Sequence, residues 1–357
     1  MAETVFSIIG GGRRAEYFLR ISAALPGRLR VAGLMVRDAA KGRILTEKWK
    51  VPTVRTIDEL LALEKPAFVI VSVGWPGTPV FIRELANRKV PSLAETPPAP
   101  DLDALNGLSD LIKGGARAQV AEQYLFQPLH AARLSLARKG LLGEVKQVQV
   151  AVCHGYHGIS IIRNFLGVGL GDAEITARNF TQRFTENPAG GGAAAKVRDT
   201  NQLIAWLDFG GKLGVFDFCY DQYFSWFMEP RFMARGEKGE MTDWEVRYLK
   251  ESGEPVSVTL KRADAGHENN LEGYYHKGIL AGDEWVYRSP FIPARLTEDE
   301  LAGATELVKM GEYAAGGASF YGLPEACQDH YLSLMMEKAA KSGEKVRTSL
   351  QSWAPDK

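Results

Sequence analysis

Three cysteines in 357 residues, Cys153, Cys219 and Cys327, are too few and too widely spaced for a disulfide framework, and no CxxC pair occurs. An odd, sparse count fits a reduced intracellular protein. The chain also lacks an excess of either charge, since 43 Lys and Arg balance 43 Asp and Glu. No long-range field then draws it to polyanions, so neither nucleic acid nor an anionic membrane is an expected partner. Long apolar runs are missing too: even Ala67 to Gly74 is bounded by Pro66 and Pro76, well short of the roughly 18 residues that cross a bilayer. The N-terminal MAETVFSIIGGG has neither a basic start nor a small-residue cleavage site. A soluble, cytoplasmic protein without internal repeats is the expectation. Apolar residues themselves are not scarce, and 45% hydrophobic against 24% charged excludes disorder as the main state. At roughly 150 residues per domain, the length predicts two domains.

From Val5 to about Pro97 short β-branched runs alternate with amphipathic stretches, the pattern of βαβ units around a parallel sheet buried on both faces. Strands are expected at Val5 to Ile9, Leu29 to Val36, Thr53 and Val54, Ala67 to Val73, Pro91 to Ala94 and Gln119 to Ala121. Helices are expected between them, the last at Leu102 to Gly114. Beyond residue 122 the texture changes. A helix at Pro128 to Lys139 precedes long strands at Val145 to Val152, Gln202 to Asp208, Leu213 to Tyr220 and Arg231 to Gly236, with few helices among them. That predicts an antiparallel sheet with one open face. The fold class is therefore α/β, a dinucleotide-binding Rossmann domain over 1–122 and an α+β domain with a large, mostly antiparallel open sheet over 123–357. The Gly/Ala-rich stretch 185–196 reads as a mobile loop within the second domain.

The first strand runs into Gly10-Gly11-Gly12-Arg13-Arg14-Ala15 and then a helix, the G-x-G-x-x-G/A arrangement in its meaningful context. Gly10 permits the tight turn, Gly12 lets the backbone approach a pyrophosphate, and Ala15 lets helix and strand pack closely. The helix N-terminus adds donors and partial positive charge for phosphate. A tight turn alone is the plainer alternative. An acidic residue ending the second strand would hold an unphosphorylated ribose, but Val36 stands there, followed by Arg37 and Asp38. Arg37 and Arg13 either pair with a 2′-phosphate or are solvated surface arginines, so NAD and NADP both remain open as cofactor.

With that turn, Ser92-Leu93-Ala94-Glu95-Thr96-Pro97 and His157-Gly158-Ile159-Ser160-Ile161-Ile162-Arg163, the chain resembles the glucose-fructose oxidoreductase/inositol dehydrogenase (Gfo/Idh/MocA) family. The resemblance spans nearly the whole chain, including MARGEKGEM at 233–241 and the closing stretch 329–353. It implies a Rossmann domain, a second domain whose open sheet often joins subunits, and oxidation or reduction of sugars and polyols with NAD(P). A homodimer or homotetramer follows as an expectation. The resemblance places Glu95, Thr96 and Pro97, with Ser72 near the end of the fourth strand and Trp75 after it, beside the cofactor, although Trp75 alternatively only closes the cleft. Two chemical positions depart from the family. Its Glu-Lys-Pro is here Glu95-Thr96-Pro97, so the lysine that binds the nicotinamide ribose and moves the substrate proton is missing. Its Asp, His, Asp and Arg positions are here Cys153, His157, Ser160 and Arg163, which leaves His157 for the chemistry and Arg163 for the substrate.

Hydride transfer from a carbinol needs a group that removes the hydroxyl proton, and a histidine titrating near neutrality suits that task. His157 is the first candidate, with His154 and Tyr156 beside it as assisting acid or hydrogen-bond donor; a helix-terminal histidine that only packs is the alternative. Cys153, His154 and His157 are all possible zinc ligands, but neighbours on a strand point to opposite faces and no fourth ligand is signalled, so no metal is expected. Tyr124 either lines the cleft or belongs to the core. His130 reads as structural. Asp217, Tyr220, Asp221, Tyr223 and Trp226 crowd GVFDFCYDQYFSW, a way to hold a sugar ring or, equally, an oligomer contact. The leading reading is an NAD(P)-dependent oxidoreductase acting on a carbohydrate-like substrate. A lyase or hydratase acting on a keto sugar is the alternative, since histidines without the lysine suit proton abstraction beside a carbonyl. A non-catalytic dinucleotide sensor is the third.

Overall fold

The computed structural model describes residues 3–186, 196–266, 268 and 273–354; most of the Gly/Ala-rich stretch expected as a loop, 187–195, lies outside them. The first half builds β1 (Thr4–Ile9), α1 (Arg13–Ala24), β2 (Leu29–Met35), α2 (Ala39–Trp49), β3 (Thr53–Val54) and α3 (Ile57–Leu63). It continues through β4 (Phe68–Val71), α4 (Thr78–Asn87), β5 (Ser92–Glu95), α5 (Leu102–Asn106), α6 (Ser109–Lys113) and β6 (Ala118–Ala121). The six strands pair in parallel in the order β3-β2-β1-β4-β5-β6. Both faces are covered, which is why Phe68 to Val71 reads as an unbroken apolar run, every residue buried. Caps set the helix starts: Thr56 and Glu59 form a reciprocal capping box on α3. The single helix expected over 102–114 is two short ones, because the chain breaks at Leu108 after Gly107.

The second half contributes α7 (Pro128–Arg138), β7 (Val145–Ala151), α8 (Gly155–Leu166), β8 (Glu174–Thr185), β9 (Val197–Asp208) and β10 (Leu213–Cys219). Then come β11 (Arg231–Gly236), β12 (Gly239–Thr242), β13 (Glu245–Leu249), β14 (Pro255–Ala265), β15 (Tyr275–Ala281) and β16 (Glu284–Arg288). The chain closes with α9 (Glu298–Ala314), α10 (Leu323–Ser342) and β17 (Val346–Arg347). The sheet has 11 strands in the order β16-β15-β14-β13-β12-β11-β7-β10-β9-β8-β17 and is antiparallel except where β10 meets β7. Its covered face lies against α8 and α10: Phe216 backs onto Gly158, and Ile162 onto Gly214. The opposite face leaves Phe180 and Trp206 about half exposed.

Helix α9 does not stay with the second sheet. Leu301, Ala304, Leu307 and Met310, with Phe291 and Leu296, complete the cluster formed by Phe6, Ile8, Phe18, Ile21 and Leu34 around the first sheet. The contact with α1 is close enough that a Cβ on Gly303 would sit 2.4 Å from Tyr17 Oη. The late segment 291–314 thus belongs to the core of the dinucleotide-fold half, a return that the boundary near 122 does not capture.

Candidate functional site

The cleft opens at the carboxyl ends of the parallel strands, where open α/β sheets bind ligands. It has a volume of about 490 Å³ and is lined by the glycine turn, the end of β2, the loop after β4 and the end of β5, a size within the usual range for ligand pockets. Gly10 has φ of 129° and its amide donates to the Met35 carbonyl at 2.9 Å. A Cβ there would lie 1.9 Å from the Ser72 carbonyl oxygen. Gly10→Ala should therefore cost about 1–3 kcal/mol in backbone strain and splay the turn. A lowered melting temperature and a loss of dinucleotide affinity together would be the expected result; an unchanged affinity would mean the turn does not shape the site. Above Gly12 nothing lies within 4 Å, and α1 begins there without a side-chain cap, so its first amides are free for an anion. These features fit a dinucleotide pyrophosphate.

The sequence-predicted residues fall into three groups. Gly10, Gly12, Arg13, Arg37, Ser72, Trp75, Glu95 and Thr96 line the cleft, while Ala15 and Pro97 are buried behind it. Glu95 is engaged, accepting from Arg14 Nε at 3.1 Å. Burial opposes the Arg14 charge, yet Glu95, with Tyr17 and Asp299, holds its pKa above the ordinary value. Thr96, in place of the lysine, lies beside the Tyr156 hydroxyl and pulls its pKa down against the larger upward push of burial, and the Trp75 ring meets Tyr156 edge-on at 6.5 Å. These two contacts join the cleft to the residues around His157.

His157 is buried near the start of α8, and its Nδ1 lies 2.7 Å from Glu122 Oε2. Tyr124 packs on its ring at 4.7 Å, Tyr156 at 4.4 Å and His154 at 5.0 Å. Burial, then Arg14, pushes the imidazole down to about 3, and burial pushes the Glu122 carboxyl well up. Both partners are driven toward their uncharged forms, so they titrate as one acid–base unit.

The Tyr223 hydroxyl holds the neighbouring imidazole. It accepts from the His154 amide at 3.0 Å and lies 2.8 Å from His154 Nδ1 and 3.2 Å from the Tyr124 hydroxyl. If Tyr124 donates to Tyr223, the Tyr223 proton goes to Nδ1, which places the His154 proton on Nε2, 3.4 Å from the Tyr156 hydroxyl. Tyr220 lies at the exposed rim, 6.2 Å from His154.

Burial, then the nearby His157, lowers His154 to about 4. That is below its unfolded value of about 6.5, so the stability its neutral form contributes is present above that pH and lost as pH falls toward 4. The melting temperature of the native protein, compared with that of His154→Asn, should therefore fall in the variant's favour between pH 6.5 and 4.5. A gap that stays constant with pH would refute it.

Two residues expected at the substrate do not line the cleft. Arg163 faces away from the cleft: it is buried against Asp329 and donates to the Gly169 and Glu325 carbonyls. Asp217 lies on the open face of the sheet, opposite α8, where it accepts from Gln202 and from Arg231, the latter at 2.8 Å. Alternation along β10 sends Phe216 and Phe218 inward and Asp217 outward. Conversely, Glu122, Arg14 and His330 stand at the site without being assigned a role there by the sequence reading above. His330 faces Trp75 and Tyr156 from α10 at 6.2 and 5.6 Å. A signal existed for Glu122, a lone carboxylate at the carboxyl end of a buried parallel strand. His130 is buried, and among the described residues its Nδ1 has no hydrogen-bond partner. Among the described residues no three His, Cys, Asp or Glu side chains converge as metal ligands, and no helix is long and apolar enough to cross a membrane.

No protein-family model matches the chain, and no curated protein matches its sequence. Solved structures do match in fold. An oxidoreductase from Agrobacterium radiobacter, solved with NAD+, L-tartaric acid and magnesium, aligns over 97% of this chain and 98% of its own at 16% identity and a TM-score of 0.68. A myo-inositol dehydrogenase from Corynebacterium glutamicum aligns over 98% and 99% at 16% identity and 0.66. An NAD-binding oxidoreductase from Klebsiella pneumoniae aligns over 98% and 100% at 14% identity and 0.71. The chain has, over nearly its whole length, the two-domain fold of these oxidoreductases, a Rossmann half followed by a large, mostly antiparallel sheet. That is the fold of the Gfo/Idh/MocA type.

Proposed function

We propose that the protein is an NAD(P)-dependent oxidoreductase acting on a sugar, polyol or keto sugar, with His157 as its acid/base. The observation that carries the reading is the buried Glu122–His157 pair, joined through Tyr156 and Thr96 to a cleft with a free helix N-terminus. Gly10, Gly12 and the first amides of α1 would hold the pyrophosphate; Ser72, Trp75, Glu95 and Thr96 would border the nicotinamide end. A bound nicotinamide supplies the hydride acceptor or donor. His157, through Nε2, takes the hydroxyl proton as the carbinol C–H bond breaks, or returns it to the carbonyl oxygen in reduction. Glu122 holds the ring by Nδ1 and shares the proton load. Burial favours the proton-loaded, uncharged pair, the form that protonates a carbonyl oxygen. The Tyr156 hydroxyl and the His154 imidazole edge supply hydrogen bonds in place of the absent lysine charge. Tyr124 and Tyr220 border the substrate. The half-exposed Trp206 and Phe180 on the open sheet face support a homo-oligomer.

The test is an absorbance assay at the reduced-nicotinamide band with polyols and NAD+ or NADP+, and with keto sugars and the reduced forms. Absorbance change with turnover supports the reading. Substrate consumed without any change in the dinucleotide would overturn it in favour of a lyase.

A further inference from the structure

The end of β2 departs in one particular way from a site for an unphosphorylated ribose. The position from which a carboxylate would accept the ribose 2′-hydroxyl is Val36, buried, its carbonyl fixed by Arg55 Nη1 at 2.9 Å. The next acid, Asp38, is spent on the chain itself: its Oδ1 accepts from the Ala40 and Lys41 amides at 2.8 and 3.1 Å, capping α2. The other carboxylate of the cleft, Glu95, is paired with Arg14. Three exposed cations, Arg13, Arg37 and Lys41, line the same cleft. Among the described residues none of the three has a carboxylate within ion-pairing distance.

We propose that this end of the cleft selects the dinucleotide that carries a phosphate on its adenosine ribose, with Arg37 and Lys41 as the residues that hold that phosphate. The proposal rests on the dinucleotide reading of the cleft. An unphosphorylated ribose finds no acceptor at Val36. A phosphate there gains charge-assisted bonds, with Arg37 offering a planar fork and Lys41 a point charge. Arg13, at the first turn of α1, stands nearer the pyrophosphate end of the same lining and adds to the field without setting the choice.

The experiment is a pair of binding titrations, NADPH and NADH, read by calorimetry on the intact protein and on an Arg37→Gln/Lys41→Gln double variant, with 2′,5′-ADP and 5′-ADP as fragments lacking the nicotinamide. NADPH should bind about tenfold or more tighter than NADH, 2′,5′-ADP tighter than 5′-ADP, and the double variant should bring each pair together by weakening the phosphorylated member. Both side chains are exposed, so the variant's melting temperature should stay that of the native protein. Equal or tighter binding of NADH, or a preference that survives in the double variant, overturns the proposal while leaving the dinucleotide site standing. No binding of any of the four overturns the dinucleotide reading and this proposal with it.

Discussion

Replacing His157 by Ala should lower turnover about 10³-fold, some 4 kcal/mol of transition-state stabilisation, with little change in dinucleotide affinity. The imidazole is buried and bound to a carboxylate, and Thr96 carries no charge to substitute for it. Removing it also strands Glu122 without its partner, so stability is measured in parallel, and His157→Asn serves as a variant that retains a side-chain hydrogen bond. Both should show the same loss of turnover. Glu122→Gln keeps a group at the same place but alters the shared proton load, and should lower turnover less while moving the limb of the pH–rate profile that the pair sets. Full turnover in His157→Ala would remove this residue as the acid/base.

Arg163→Ala should destabilise the protein by about 3–5 kcal/mol, because it leaves the Asp329 carboxylate buried and uncompensated. Burial already pushes Asp329 up to about 7 against the pull of Arg163, and the Tyr321 hydroxyl, which also bonds Ser160 Oγ at 3.0 Å, is tied to the same carboxylate. The Gly169 and Glu325 carbonyls would lose their donor as well. An Arg163→Met/Asp329→Leu protein should recover part of the loss, since it removes both charges rather than one. Denaturant unfolding gives the comparison, with dinucleotide affinity expected to be unchanged. A stable Arg163→Ala protein with weakened substrate binding would return Arg163 to the substrate site.

Arg163 also shows where reading the chain stops being sufficient. The parallel half was legible because its strands, buried on both faces, are continuous apolar runs and its turns are marked by glycine; Gly10, Gly12 and Ala15 stand where the spacing puts them. The second half was legible only in outline. Its strands β12 to β16 pair as successive hairpins, but β15 mixes polar and apolar residues irregularly over Tyr275–Ala281, and its register shifts against both neighbours, which blurs the period-2 signal. At the site, His157, His154 and Tyr156 come together because they are adjacent on one turn, a local fact. Glu122, Tyr223 and His330 reach the same place from three other elements, which no local spacing encodes. Arg163 and Asp217 shared motif or composition with site residues, but helical phase turned one inward and strand alternation turned the other out.

The late return of α9 sets a schedule for synthesis. The six strands of the first sheet are complete at Ala121, yet Leu301, Leu307 and Met310, which share a core with Phe6, Phe18 and Ile21, follow 180 to 189 residues later. At ribosomal rates of about 5–20 residues per second, that face waits about 9–38 seconds to be covered. During that time the nascent chain presents an uncovered apolar surface, so recombinant yield should respond to co-expressed chaperones, and a fragment ending at residue 122 should aggregate instead of folding alone.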